Sequence, residues 1–302
     1  MKSALSPNWT EAQLHQVAPL RITEPFPEDT IPVSRKHRNI LQSIISVLLK
    51  TQKYSAYGFL SFFGLHISST VVTTGLGINA TLSQNYFEMA RAIYSRSFFE
   101  YSFVYGCGIV HVLSGVIVRM LRFVSFLQKK SVTTERDIII NDARTKDIDS
   151  EGLRFIFGYG FKKLWISSTI PSLNPLTFSG YVMATALSYH LWKMKWAPTL
   201  VDGDTALINL KYVTHYLSRS VNGTALAALN LSMLALLLWV SFYHIFSGLF
   251  KYRRKFSSKA KKIAYGVISV FTTLSLLSIR RLMLWSVETG FIGTQFNKYL
   301  MR

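Results

Sequence analysis

Five long apolar stretches alternate with polar, charged connections along the chain. They cover residues 54–78, 101–118, 176–191, 225–250 and 263–279. Most are close in length to the about 20 residues that a helix needs to cross a hydrocarbon layer about 30 Å thick. Because the stretches lack period-two alternation, they are typical of helices rather than of the strands of a transmembrane barrel. The pattern therefore predicts five transmembrane helices, of which the third is the shortest and follows two prolines.

The composition supports the same class of protein. Of the 302 residues, 49% are hydrophobic and only 16% are charged, which is too apolar for an ordinary soluble domain. We therefore predict an all-α membrane protein, with a five-helix transmembrane bundle over residues 39–302 and a disordered arm over residues 1–38. The arm contains several acidic residues, so it is typical neither of a secretory signal nor of an Arg-rich presequence.

Basic residues are distributed unevenly between alternate connections. The side that contains the N-terminal arm carries 24 of the 34 lysines and arginines, and the positive-inside rule assigns that side to the cytosol. The net charge of +19 then reflects membrane orientation and attraction to anionic membrane lipids. No aromatic-basic module indicates nucleic-acid binding. The glycosylation sequons at Asn79 and Asn222 are predicted on the opposite side.

Four of the seven histidines lie in the first four apolar stretches, one in each. An ionisable side chain within a membrane span is costly and marks a functional site by default. Counted from the cytosolic end at a rise of 1.5 Å per residue, His111 lies about 11 Å deep and His244 about 9 Å deep. His66 lies about 18 Å deep and His190 about 21 Å deep. We call His111 and His244 the shallow pair, and His66 and His190 the deep pair.

The two shallow histidines share the motif H-x-x-S-G, in "HVLSGVIVR" and "HIFSGLFKY". Gly115 and Gly248 therefore lie one helical turn from their histidines, on the same face. A missing side chain at that position leaves space for the edge of a macrocycle, and two histidines are common axial ligands of haem iron. Arg119, Arg122, Lys251 and Arg253 follow, where they could bind haem propionates.

Simpler interpretations of these residues remain open. A histidine within a membrane often forms a hydrogen bond with a neighbouring helix, and a glycine often serves close helix packing. A zinc site or a proton relay is less consistent with the sequence, because no carboxylate accompanies the histidines before Glu288. The expectation is one or two haem b groups with iron ligands His66, His111, His190 and His244, or no cofactor at all.

The histidine pattern resembles a known membrane domain. Five helices with one histidine in each of the first four, pairing first with third and second with fourth, are similar to the dihaem cytochrome b anchors of succinate dehydrogenases and fumarate reductases. The resemblance covers roughly residues 54–285 and implies a b-type cytochrome. The long connection after the second helix and the polar arm are additions to that pattern.

The arm contains the segment "RITEPFPEDTIPV", residues 21–33, whose three prolines exclude a helix. In an extended strand, Pro25 and Pro27 remove two N–H donors from the same edge. Such a segment can add to the edge of a sheet in a partner and stop further addition, with Ile22 and Phe26 as apolar anchors. A solvated tether without a partner is the alternative.

With the segment "EPFPED" and the five-span body, the chain resembles the fungal Mdm-ten-complementing proteins of the mitochondrial outer membrane. The resemblance implies a multi-pass adapter that recruits a bridge-like lipid transfer protein of the Vps-thirteen type through a Pro-x-Pro motif, at contacts between mitochondrion and vacuole. It also implies that Pro25 and Pro27 are the motif prolines and that Ile22 is an upstream contact.

Three function classes follow from these residues and from the two resemblances. The first is a non-enzymatic adapter with a role in mitochondrial lipid homeostasis, and the second is a b-type cytochrome. The third is a lipid scramblase, in which Thr185, Ser188, Arg280 and Arg281 would line a polar groove. The sequence contains no G-x-S-x-G, P-loop or CxxC motif, so no enzyme is predicted.

Overall fold

The computed structural model describes residues 33–132, 175–253 and 257–302, and all the regular structure in these ranges is helical. We number the helices α1 to α8 and include in a helix any π-helical turn that it contains. They are α1 (Val33–Ile67, π-helical Ser68–Val72, Thr73–Leu76), α2 (Ala80–Tyr94), α3 (Ser97–Phe99, π-helical Glu100–Gly106, Cys107–Val132), α4 (Pro175–Leu191, π-helical Trp192–Trp196, Ala197–Asp202), α5 (Leu210–Leu217), α6 (Arg219–Tyr252), α7 (Ser258–Met283) and α8 (Gly290–Leu300).

Four helices are long and apolar enough to cross a membrane. They lie in α1, α3, α6 and α7, and their spans are Ile40–Leu76, Ser97–Ser125, Arg219–Tyr252 and Ser258–Met283. These spans contain the second, fourth and fifth predicted stretches and all but the last two residues of the first. The third predicted stretch lies in α4, whose first segment has 17 residues, or about 26 Å at 1.5 Å per residue. The chain is an all-α membrane protein, as the sequence predicts.

The bundle is held together along α4, α6 and α7. α4 packs against α6, α6 against α7, and α7 against the end of α1. The buried positions on these helices include many small or polar residues, as is typical of helix contacts in membranes: Ser179, Ala186, Ala227, Ser241, Ala260, Ala264, Ser275 and Ser278. One polar bond joins the ends of two spans, because the hydroxyls of Thr74 and Ser278 lie 2.5 Å apart.

Two π-helical turns lie next to the deep histidines. Ser68–Val72 begins two residues after His66, and Trp192–Trp196 begins two residues after His190. Such turns are rare and often lie at functional sites, because they change the direction of the side chains that follow. The apolar pattern of the sequence did not indicate them.

One end of the bundle is closed by short helices, which we call the cap. It consists of α2, residues 197–209, α5 and α8. α5 contacts α6, α7 and α8, and α8 contacts Ala197–Asp202. Its core contains the fully buried rings of Tyr212, Phe296 and Tyr299. Gly223, with φ 70°, interrupts α6 beside the cap, and glycine tolerates this left-handed backbone because it has no Cβ.

Candidate functional site: a cavity lined by four histidines

A large cavity lies between α1, α3, α4 and α6. Its volume is about 1390 Å³, above the about 300–1,000 Å³ of common small-molecule sites. The wall is mostly apolar, and all four histidines singled out in the sequence line it: His66, His111, His190 and His244. The cavity could therefore hold a large apolar ligand in contact with imidazole nitrogens.

The shallow pair joins α3 and α6. The ring centroids of His111 and His244 are 6.2 Å apart, with planes at 89°. His111 Nδ1 lies 3.0 Å from the backbone oxygen of Gln52. Because a carbonyl oxygen only accepts hydrogen bonds, Nδ1 carries the proton and donates it. Nε2 of His111 is then the nitrogen with a lone pair, which is the form that binds a metal ion.

His244 is held in the same way from α4. Its Nδ1 lies 3.1 Å from the backbone oxygen of Leu176 and 3.1 Å from the Ser179 hydroxyl. Ser179 itself donates to Leu176 O, at 2.7 Å, so its oxygen can accept from Nδ1. Gly180 permits this approach, since a Cβ there would lie 3.0 Å from His244 Cε1.

The deep pair joins α1 and α4. The ring centroids of His66 and His190 are 6.2 Å apart, with planes at 71°. Phe62 stacks on His66 at 5.4 Å, and Tyr94 meets it edge-on at 5.8 Å. His66 Nδ1 is buried and forms no hydrogen bond with any described residue. Among the described residues, His66 thus lacks the carbonyl contact that orients each member of the shallow pair.

The structure groups the histidines as the depth estimate from the sequence does, the first helix with the third and the second with the fourth. The two motif glycines also line the cavity. A Cβ at Gly248 would meet nothing within 4 Å, whereas one at Gly115 would lie 2.6 Å from the Gln52 side-chain nitrogen. The space next to Gly248 is therefore open, and the space next to Gly115 is taken by a flexible amide.

The shallow pair fits a haem iron. Two imidazoles from different helices face one cavity, and the Nδ1 of each is bound to a backbone carbonyl, as is usual for histidines that ligate a metal. The alternative of a structural zinc site, which takes four ligands, does not fit. Within the described residues, no three His, Cys, Asp or Glu side chains come together.

Three cations line the cavity at the end away from the cap, which we call the basic end: Arg119, Arg122 and Lys251. Arg119 donates to Thr177 and lies 5.7 Å from the Tyr181 ring. Lys251 is within electrostatic range of both arginines. Arg253, the fourth cation named in the sequence, lines a separate small pocket instead.

The cap has a dense network of polar contacts that the sequence did not reveal. Arg91 donates to the backbone oxygens of Thr205, Ala206 and Ile208. These bonds tie α2 to the loop before α5. Since the partners are more than 100 positions apart in sequence, no local pattern could have identified them.

The same network joins a lysine and an aspartate of α4 to the last helix, α8. Lys193 Nζ donates to Leu300 O at 2.9 Å, and burial lowers the pKa of this ammonium group. Tyr299 donates to the Asp202 carboxylate, and burial together with that carboxylate raises the pKa of the phenol. The cap therefore holds its lysine and tyrosine through specific bonds rather than through solvation.

The sequon at Asn222 also belongs to this network. Its amide nitrogen donates to the backbone oxygens of His215 and Tyr216, each at 3.0 Å. Asn79, by contrast, is exposed, and its oxygen accepts from Leu82 N at 2.8 Å at the start of α2. The two sequons thus lie in different structural environments.

Three of the four residues proposed for a polar groove donate hydrogen bonds to backbone oxygens. The hydroxyls of Thr185 and Ser188 donate to backbone oxygens one turn earlier in α4, and Arg281 donates to the oxygens of Thr74 and Gly75. Arg280 is exposed. A scramblase activity stays a prediction, which transfer of labelled lipid between the leaflets of liposomes would test.

The residues of the N-terminal motif, Ile22, Pro25, Phe26 and Pro27, lie outside the described residues. So does the whole connection between α3 and α4, residues 133–174. What can be said of the arm rests on its sequence.

Comparisons with known proteins identify the family. The family model "MDM10-complementing protein 1, transmembrane domain" matches residues 185–292. Over 239 aligned residues the chain is 30% identical to the mitochondrial adapter protein MCP1 of Saccharomyces cerevisiae. This alignment covers 78% of this chain and 74% of the yeast protein. No solved structure matches the chain significantly, and neither sequence match supports the resemblance to the succinate dehydrogenase anchor. The chain is thus a mitochondrial membrane protein that belongs to the MDM10-complementing protein 1 family, a family of adapters rather than of enzymes.

Proposed function

We propose that the chain is an adapter of the mitochondrial outer membrane that recruits a bridge-like lipid transfer protein of the Vps-thirteen type. The observation that carries the proposal is the similarity to the yeast mitochondrial adapter over 78% of the chain. The membrane helices supply anchorage, and the arm supplies the binding segment. Recruitment would promote contact between mitochondrion and vacuole and support mitochondrial lipid homeostasis.

The arm has the chemistry of a segment that adds to a sheet edge. Pro25 and Pro27 present no N–H groups, so one edge of the extended arm cannot pair further, while the other edge pairs with the partner. Ile22 and Phe26 would fill apolar pockets of the partner. Because ordering a flexible arm costs free energy, the affinity of this one segment is modest.

The arm is tested by the double substitution Pro25→Ala and Pro27→Ala. We expect at least about a tenfold loss of partner binding to purified mitochondria, because the strand register and both fixed φ angles are lost. The matched control is Pro7→Ala with Pro19→Ala, which changes two prolines of the same arm outside the motif. Unchanged recruitment by the motif variant, with normal insertion, would exclude the arm as the binding segment.

The proposed orientation has its own test. Protease added to intact mitochondria should remove the arm, because the basic end and the N-terminus face the cytosol in this proposal. An epitope placed after Met1 would report the cleavage. Protection of that epitope in intact organelles, with cleavage only after detergent, would contradict the orientation.

The paired histidines favour a second candidate function, a b-type cytochrome. His111 and His244 would hold the iron, and a haem with two histidine ligands supplies one-electron transfer. The two candidates are compatible, because the arm and the cavity use different residues. The detergent-purified chain should show the Soret band of a low-spin haem, and its absence after expression with ample haem precursor would reject this candidate.

A further inference from the structure

The helices of the shallow pair each carry a stripe of matching residues. In α3, Gly115 and Arg122 follow His111 by 4 and 11 residues, and in α6, Gly248 and Lys251 follow His244 by 4 and 7 residues. At 3.6 residues per turn these spacings correspond to about one, three and two turns. Each histidine therefore shares a helix face with a glycine and, nearer the basic end, a cation. All of these residues line the same cavity.

No described acidic residue of the cavity wall lies beside Arg122 or Lys251. Among the described residues that line the cavity, Glu100 is the acidic one, and it forms an ion pair with Lys195 at 2.5 Å. Lys251 lies within electrostatic range of Arg119 and Arg122. Arg122 and Lys251 are exposed and line the cavity, so an anionic group of a ligand in the cavity can contact them.

The deep pair differs in both respects. The two other cations of the described cavity wall are already bound, Arg91 to backbone oxygens of the cap and Lys195 to Glu100. His66 Nδ1 also lacks the hydrogen-bond partner that a metal-ligating histidine almost always has. Iron ligation and carboxylate binding therefore coincide only at the shallow pair.

We infer that the chain holds a single haem b, ligated by His111 and His244, and that Arg122 and Lys251 bind its two carboxylates. This inference rests on the second candidate function, haem binding, and assigns it to one of the two histidine pairs. Gly248 leaves space beside the ligand, and Gly180 allows α4 to hold His244 in place. The deep pair takes no iron.

The assignment is tested by the haem content of the full-length protein, purified in detergent and measured as the pyridine haemochrome. Wild type should contain about one haem per chain, and His111→Ala or His244→Ala should reduce this at least about tenfold through the loss of an axial ligand. The matched controls His66→Ala and His190→Ala should keep the haem. Two haems per chain, or loss of haem in the control variants, would overturn the inference while leaving haem binding itself intact.

A variant that simply fails to fold is distinguished by chemical rescue. His111→Gly should bind haem again when imidazole is added, with the low-spin spectrum of the wild type, because free imidazole can occupy the vacated ligand position. The variant His244→Met should retain haem with an altered spectrum. Failure of imidazole to restore haem in a variant with wild-type thermal stability would count against His111 as a ligand.

The cations are tested separately, because headgroup contacts alone would also explain them. Arg122→Glu and Lys251→Glu should each weaken haem retention about tenfold, the effect of losing one charge-assisted contact. Lys259→Glu, an exposed lysine at the start of α7, is the control with the same charge change. Equal retention in all three variants would assign the basic end to lipid headgroups and overturn the carboxylate part of the inference. No haem in any form would overturn the second candidate and this inference together, and would leave the adapter function untouched.

Discussion

The cap and the cavity differ in how their parts are held together. In the cap, Arg91, Lys193 and Asn222 each bind backbone oxygens. In the cavity, the exposed Lys251 lies within range of like charges, and His66 Nδ1 has no partner among the described residues, as is also true of His215 Nδ1 in the cap. A buried polar group with partners stabilises a fold, whereas one without partners costs free energy. The cap is thus held mainly by side-chain bonds to backbone oxygens, whereas the cavity has a mostly apolar wall and space for a ligand.

The largest expected effect comes from the cap. Arg91→Ala should lower the free energy of unfolding by about 3 kcal/mol, because several charge-assisted bonds to the 205–208 loop are lost together. Thermal unfolding in detergent measures it. Arg219→Ala, an exposed arginine in the first turn of α6, is the control and should change stability by less than about 0.5 kcal/mol. Equal effects of both substitutions would remove the distinction between cap and surface.

The contact between α4 and His244 should come next. Gly180→Ala places a Cβ 3.0 Å from His244 Cε1, so the imidazole must move, at a cost of about 1–2 kcal/mol. In a haem-containing preparation the spectrum should change as well. Gly266→Ala is the control, since its Cβ would meet nothing within 4 Å, and it should stabilise α7 by about 0.5–1 kcal/mol.

Substitutions in the deep and the shallow histidine pair should change stability by smaller amounts and in opposite directions. In haem-free protein, His66→Phe should raise the free energy of unfolding by about 1 kcal/mol, because it removes a buried nitrogen without a partner and keeps the ring contacts. His111→Phe should lower it by about 1 kcal/mol, because the bond to Gln52 O is lost. Thermal unfolding of both variants, measured under one condition, tests whether the two changes in stability have opposite signs. The same sign for both would show that the pairs do not differ as described.

The smallest effect concerns Lys193 and pH. Burial lowers the pKa of its ammonium group in the folded state, so the unfolded state holds this proton to higher pH and stability rises with pH in that range. As the pH rises toward the ordinary lysine pKa of about 10, the melting temperature of wild type should therefore rise relative to that of Lys193→Met. Parallel curves for the two proteins would contradict the assigned cost of burying this charge.

The membrane helices could be predicted because their signal is local. A run of about 20 apolar residues identifies a span wherever it occurs, and one histidine in such a run is visible without any tertiary information. Counting residues from one end was enough to group His66 with His190 and His111 with His244. The third stretch is harder to identify as a span, because it is short. The position of α4 depends on its packing against α6, which the sequence does not show.

The cap could not be predicted for the complementary reason. α2 and α8 contain few long apolar runs, and the contacts that place them join residues far apart in sequence, as Arg91 does with Ile208. The π-helical turns beside His66 and His190 leave no compositional trace either. The hydrogen bond of each shallow imidazole to a backbone oxygen likewise depends on a neighbouring helix. Only the three-dimensional structure therefore distinguishes the shallow histidine pair from the deep one.

The hydrogen bonds of Asn222 limit how the topology of this protein can be mapped. An oligosaccharide is attached at the asparagine amide nitrogen, and in Asn222 that nitrogen is already committed to carbonyls at the end of α5. An unmodified Asn222 would therefore say nothing about which compartment it faces. Glycan mapping of a chain inserted into a secretory membrane should rely on Asn79, whose side chain is exposed and caps α2 through its oxygen.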